Sequence, residues 1–166
     1  MRTTRGQFLA RGRRFAVVAA RFNELVVGRL VEGAVDCLRA HDVVEDDLDL
    51  VWVPGAFEVP LVARRLAETG GFDAVICLGA VIRGETAHFD LVASEACRGI
   101  RRASEDTGVP VILGILATDT LEQAMDRAGG KHGNKGWDAA MAAMEMASVL
   151  DALPKQEAGP RGGEGA

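Results

Sequence analysis

The chain has 166 residues, 48% of them apolar, which fits one domain with a core large enough to stand without disulfide or metal staples. A formal net charge of −5 argues against non-specific nucleic-acid binding. No apolar run approaches the roughly 18 residues of a membrane span, and Met1 to Phe8 hold no secretory-type apolar segment, so a cytoplasmic protein is expected.

Residues 1–13 read as an N-terminal arm in which Gln7-Phe8-Leu9-Ala10 has the pattern of an edge strand that pairs with a neighbouring subunit. The first strand is Phe15-Ala16-Val17-Val18-Ala19-Ala20. Asn23 then caps a helix with Val26, Leu30, Ala34 and Leu38 at helical spacing. Leu50-Val51-Trp52-Val53 is the second strand, stopped by Pro54-Gly55. A helix from about Phe57 puts Leu61, Val62 and Leu66 on one face and stops at Gly70-Gly71. The third strand runs from Ala74 to Ile82. A helix follows with Phe89, Val92, Ala96, Ile100 and Ala103 on one stripe. Residues 111–116 form the fourth strand, Asp119 with Glu122 marks a helix start, and a last helix carries Trp137, Ala140, Met141, Met144 and Ala147.

Four apolar strands separated by helices predict an α/β protein: a three-layer, flavodoxin-like sandwich on a four-stranded parallel sheet with both faces covered. One domain is expected over residues 14–153, followed by a disordered tail over 154–166, rich in Gly, Pro and charge. In such sheets ligands bind at the carboxyl ends of the strands. Chemistry is therefore expected in the loops after them.

The loop after the third strand, Gly79-Ala80-Val81-Ile82-Arg83-Gly84-Glu85-Thr86-Ala87-His88-Phe89-Asp90, has the spacing of a phosphate loop but places Glu85 where that loop needs lysine. A carboxylate there repels a triphosphate. The glycines, helix-start amides and Thr86 hydroxyl still suit a small phosphate, although a plain strand-to-helix turn explains the glycines equally well. An anion at this site needs a cation from elsewhere. Arg127 leads, though taken alone it reads as an arginine in the last turn of a helix; Arg83 and Lys135 stand similarly. His88 stands in the first turn after the loop, and an imidazole suits proton transfer in either direction near neutral pH. Phe22 is placed to stack on a flat heterocycle or to staple the helix entry. Glu58 is placed to accept hydrogen bonds from a polyol or simply to favour the helix dipole. Cys37, Cys77 and Cys97 read as reduced, buried small hydrophobes. His41 and His132 read as surface residues. With three histidines and no C-x-x-C, no metal site is expected.

Arg21-Phe22-Asn23, Pro54-Gly55-Ala56-Phe57-Glu58-Val59-Pro60, the loop of residues 79–90 and Gly133-Asn134-Lys135-Gly136 together resemble lumazine synthase, over roughly residues 8–150. The resemblance implies a transferase of riboflavin biosynthesis that works without cofactor or metal. It condenses 5-amino-6-(D-ribitylamino)uracil with 3,4-dihydroxy-2-butanone 4-phosphate: an imine forms, phosphate leaves, and the ring closes with loss of water. By the resemblance, Phe22 stacks on the pyrimidine. Asn23, Ala56, Phe57, Glu58, Ala80, Val81, Ile82 and Leu113 complete the ring and ribityl site. Glu85, Thr86, Arg127 and Lys135 meet the phosphate, and His88 shuttles protons. Two departures bear on affinity: Leu113 stands where the family often has an aromatic, and Ala80 where threonine is common.

The resemblance also implies a homo-pentamer whose sites lie between subunits, with Leu113, Arg127 and Lys135 coming from the adjacent chain, and association with riboflavin synthase. The short connection over residues 129–136 is similar to that of members that build a 60-subunit icosahedral shell. The competing readings are a non-catalytic flavodoxin-like domain that binds a flavin or phosphate, and a structural shell protein.

Overall fold

The structure is a computed structural model that describes residues 1–154. The disordered-tail expectation over 155–166 lies outside the described residues. The elements are β1 Phe15–Ala20, α1 Glu24–Ala40, a 3-10 turn Glu45–Asp47, β2 Leu48–Val53, α2 Val59–Glu68, β3 Ala74–Ile82, α3 His88–Thr107, β4 Val111–Thr118, α4 Leu121–Asp126, β5 Ala128–Gly130, β6 Gly133–Asn134 and α5 Lys135–Ala152.

The four long strands form a parallel sheet in the order β2-β1-β3-β4, the flavodoxin-like arrangement the strand–helix alternation predicts. Side chains on β1 alternate between two cores, as the strand period of two requires. Phe15, Val17 and Ala19 pack with Leu30, Ala34, Ala140 and Met144 of α1 and α5. Ala16, Val18 and Ala20 pack with Val59 and Ala63 of α2 and Ile100 and Ala103 of α3 on the other face. Each fully buried Phe, Leu or Met contributes roughly 1.5–3 kcal/mol through removal of apolar surface from water.

One close approach fixes the α1–α5 pair. A Cβ at Gly136 would run into the backbone carbonyl of Leu30, so only glycine lets the start of α5 lie on α1 there.

Several expectations shift. β2 begins at Leu48 and is the edge of the sheet, with Asp49, Leu50 and Trp52 exposed, so it is not apolar on both faces. α2 begins at Val59, because Gly55 to Glu58 form a turn before Pro60 sets the first helical φ. Its buried residues are Val59, Ala63 and Ala67, while Leu61 faces outward. α4 is capped by the Thr120 hydroxyl, which accepts from the Gln123 N–H at 3.2 Å, rather than by Asp119. Cys97 is exposed on α3, against the expectation that all three thiols are buried. His41 is half-buried, its ring edge-on to Trp137, rather than a free surface residue.

Residues 7–10 form no strand within the single chain. The arm lies along α5 instead: the Gln7 N–H donates to Ser148 Oγ at 3.0 Å, Ala10 enters the core, and Arg13 pairs with Asp151 at 2.9 Å.

Candidate functional site

A cleft of about 440 Å³ opens at the carboxyl ends of β1, β2 and β3. That volume is in the range of small-molecule sites. Phe22 and Asn23 come from the β1 exit, Pro54 to Glu58 from the β2 exit, and Ala80, Val81 and Ile82 from the end of β3. Gly84, Thr86, His88, Phe89 and Val92 close it from the following loop and α3.

Backbone hydrogen bonds lace the first two exits together. The Arg21 N–H donates to Val53 at 2.8 Å and the Phe22 N–H to Pro54 at 3.0 Å. Asn23 then turns the chain in the left-handed conformation, φ 62°, and its side-chain amide donates to the Ala80 carbonyl at 2.8 Å. Phe22, 72% exposed, is thereby held at the cleft rim with its ring unburied. Glu58 folds its carboxylate back over Gly55: a Cβ on Gly55 would sit 3.1 Å from Glu58 Oε2. This acid stands at the N-terminus of α2, where the helix dipole favours negative charge.

At the opposite end the chain leaves β3 through Gly84, Glu85, Thr86 and Ala87, all exposed, and enters α3 at His88. Thr86 Oγ1 accepts a long bond from the His88 N–H at 3.4 Å. Thr86 and His88 line the cleft; Glu85 does not. The start of a 20-residue helix and the Thr86 hydroxyl offer donors for an anion. His88 presents an imidazole to the cleft beside them.

Arg83 is removed from the candidate anion partners. Its Nε donates to Asp119 Oδ1 at 2.8 Å, Nη1 lies 3.8 Å from Asp90 Oδ2, and Cζ sits 4.3 Å over the Phe89 ring. The Asp119 hydrogen bond, followed by the nearby charges of Asp90 and Asp119, raises its pKa further.

Three expected residues stand apart from this cleft. Leu113 and Lys135 line a second, shallower depression of about 260 Å³ on β4 and α5, where Lys135 Nζ donates to Asp138 at 2.8 Å. Arg127 ends α4 and donates from Nη1 to the Gln123 carbonyl at 3.0 Å. Among the described residues, no lysine or arginine lines the first cleft.

Pro54, Gly55 and Gly84, in the loops where chemistry is expected though outside the expected contact residues, also line the cleft. Phe89 and Val92, expected in the core stripe of α3, are instead half-buried and form the cleft wall. Val92 lies four residues after His88 and three after Phe89, the helical spacing that sets it beside both. Among the described residues, no cluster of three or more His, Cys, Asp or Glu is placed to hold a metal, and no helix is long and apolar enough to cross a membrane.

In comparison with known families, residues 12–151, most of the chain, fit the model described as 6,7-dimethyl-8-ribityllumazine synthase.

Proposed function

The chain belongs to the 6,7-dimethyl-8-ribityllumazine synthase family, with a role in riboflavin biosynthesis, and we propose that it catalyses the condensation itself. The observation that carries this reading is the convergence in one cleft of Phe22, Glu58, the end of β3, Thr86 and His88, drawn from four separate segments.

In this reading Phe22 covers the pyrimidine of 5-amino-6-(D-ribitylamino)uracil, while Asn23, Ala56, Phe57, Ala80, Val81 and Ile82 shape its seat. Glu58 accepts from the ribityl hydroxyls. The phosphate of 3,4-dihydroxy-2-butanone 4-phosphate rests on the Glu85 and Thr86 amides and the Thr86 hydroxyl. The 5-amino nitrogen attacks the ketone carbon, and water leaves to give the imine. His88 takes the proton from the adjacent carbon as the carbon–oxygen bond to phosphate breaks, which leaves an enol; protonation of its terminal carbon makes a methyl group and turns the enol into a second carbonyl. The ribityl-bearing nitrogen then closes on the second carbonyl, and a second water leaves. Holding amine and ketone in fixed geometry can supply up to ~7–11 kcal/mol of the barrier reduction. A positioned acid/base group adds about 10²–10⁴-fold.

The missing cation defines the assembly we infer. Arg127, with Lys135 and Leu113, serves the cleft of an adjacent copy in a homo-pentamer, so an isolated chain is inactive. The short β5–β6 connection favours closed shells; light scattering that shows only a pentamer-sized particle across buffers and pH would sink the shell. Association with riboflavin synthase belongs to the same proposal.

The direct experiment mixes the two substrates in single turnover, follows lumazine absorbance and phosphate release, and measures particle size on the same sample. Stoichiometric product and phosphate support the condensation. Ligand binding without turnover favours the non-catalytic flavodoxin-like reading, and assembly with neither favours a structural protein.

A further inference from the structure

We propose that Arg83 is a positioning residue, a latch that holds the segment carrying Thr86 and His88 in register with the cleft. The kinetic part of this inference rests on the condensation reading above; the structural part rests on geometry alone.

Arg83 leaves the end of β3 with its backbone N–H bonded to the Thr118 carbonyl at 2.9 Å. Its side chain then reaches across the loop. Asp119, at the exit of β4, receives Nε at 2.8 Å, and Phe89 lies under the guanidinium at 4.3 Å. Asp90 stands 3.8 Å from Nη1. Phe89 and Asp90 directly follow His88, so one side chain ties both ends of residues 84–88 to a single point on the sheet.

The segment has little else to hold it. Residues 84–88 are all exposed, and the bond within it from His88 N–H to Thr86 Oγ1 is long at 3.4 Å. Segments of this kind open locally at low free-energy cost. The guanidinium suits the task because its planar fork meets a carboxylate and stacks on a ring at once, which an ammonium does not do. Exposed ion pairs contribute little to global stability. The latch therefore acts on local order rather than on the fold. It also offsets Asp90 and Asp119, two carboxylates near the end of the cleft that receives the phosphate.

Two measurements on the intact assembled protein test it. Hydrogen exchange after millisecond labelling reports order in residues 84–88. Steady-state kinetics report positioning. Arg83→Met is expected to speed exchange of the segment about tenfold. It is also expected to lower kcat/KM for the phosphate ester by about 10–100-fold, since displacement of order 1 Å at a reacting group carries such losses. The KM for the aminopyrimidine and the melting temperature should stay close to wild type. Arg83→Lys should not restore the loss, and Asp119→Asn should reproduce part of it. The pair Arg83→Met and Asp119→Asn should be no worse than Arg83→Met alone, because that variant already lacks the Asp119 contact. Unchanged exchange in Arg83→Met, or a wild-type kcat/KM, overturns the latch. If the wild-type protein makes no product, the condensation reading fails, and the exchange comparison alone then decides the latch.

Discussion

Asn23 donates its side-chain amide to the Ala80 carbonyl across 2.8 Å and fixes the exit of β1 to the end of β3. The same residue holds a left-handed backbone that asparagine tolerates and alanine does not. Two costs therefore fall on Asn23→Ala: the lost hydrogen bond, about 1 kcal/mol, and backbone strain of about 1 kcal/mol or more. Asn23→Gly should recover the second and not the first. Denaturant unfolding at matched protein concentration checks the order wild type, glycine, alanine. Equal losses for both variants would show that the backbone conformation carries no strain.

His88 is exposed, so His88→Ala should leave circular dichroism and melting unchanged while turnover falls about 10²-fold or more. Arg127→Ala should instead raise the KM for the phosphate ester. Mixed and reassembled, the two impaired proteins should regain part of the lost activity, because some sites then pair an intact His88 with a neighbour's intact Arg127. If each variant matches wild type, these residues have the wrong roles. If mixing restores nothing, the cleft is not shared.

Gly136→Ala should destabilise the protein by about 1–3 kcal/mol or more, because the methyl group enters the space of the Leu30 carbonyl and α1 must move away from α5. Gly28→Ala is the control: open space surrounds that position within a helix, and the substitution should be neutral or stabilising. Thermal unfolding of the two variants side by side is sufficient.

The thiols make a pH prediction. Burial, and then the charge of Asp138, raises Cys37 from 9.0 to about 11, and burial raises Cys77 as well. In the unfolded chain both ionise near 9, so above that pH the unfolded state binds fewer protons than the native state. The contribution of these two thiols to stability is therefore constant below about pH 9 and falls as pH rises from 9 towards 11. Cys37→Ser and Cys77→Ala variants should show a shallower decline in denaturant titrations over that window. Under native conditions Cys97 should be the thiol that an alkylating reagent modifies, with Cys37 and Cys77 reacting only after unfolding.

The interior was readable in the sequence where burial is two-sided. β1 and β3 are continuous apolar runs with both faces covered, and their extents follow from composition alone. β2 was shortened because Leu48 and Asp49 lie on an edge, where polar residues are tolerated and the apolar signal fades. α2 was started early because Phe57 looks like a helix residue, while the turn before Pro60 depends on the fold around it. At the cleft, residue types and their order placed Phe22, Glu58, Thr86 and His88 in one place. What sequence could not give is which cations reach them. Arg83 sits in the loop yet is fully engaged with Asp119 and Asp90. Arg127, some 40 positions on, stands outside the cleft of its own chain.

The exposed edge of β2 has a consequence for how the protein is made. Leu50 and Trp52 are 43% and 39% exposed beside a row of backbone groups that no strand among the described residues pairs. Such an edge templates strand addition from any chain that arrives first. A newly synthesised copy is then in a race between the right neighbour and the wrong one. Asp49, near the start of that edge, is the kind of exposed charge that blunts such pairing. The edge therefore leaves a free copy open to strand addition whatever the stability of its fold.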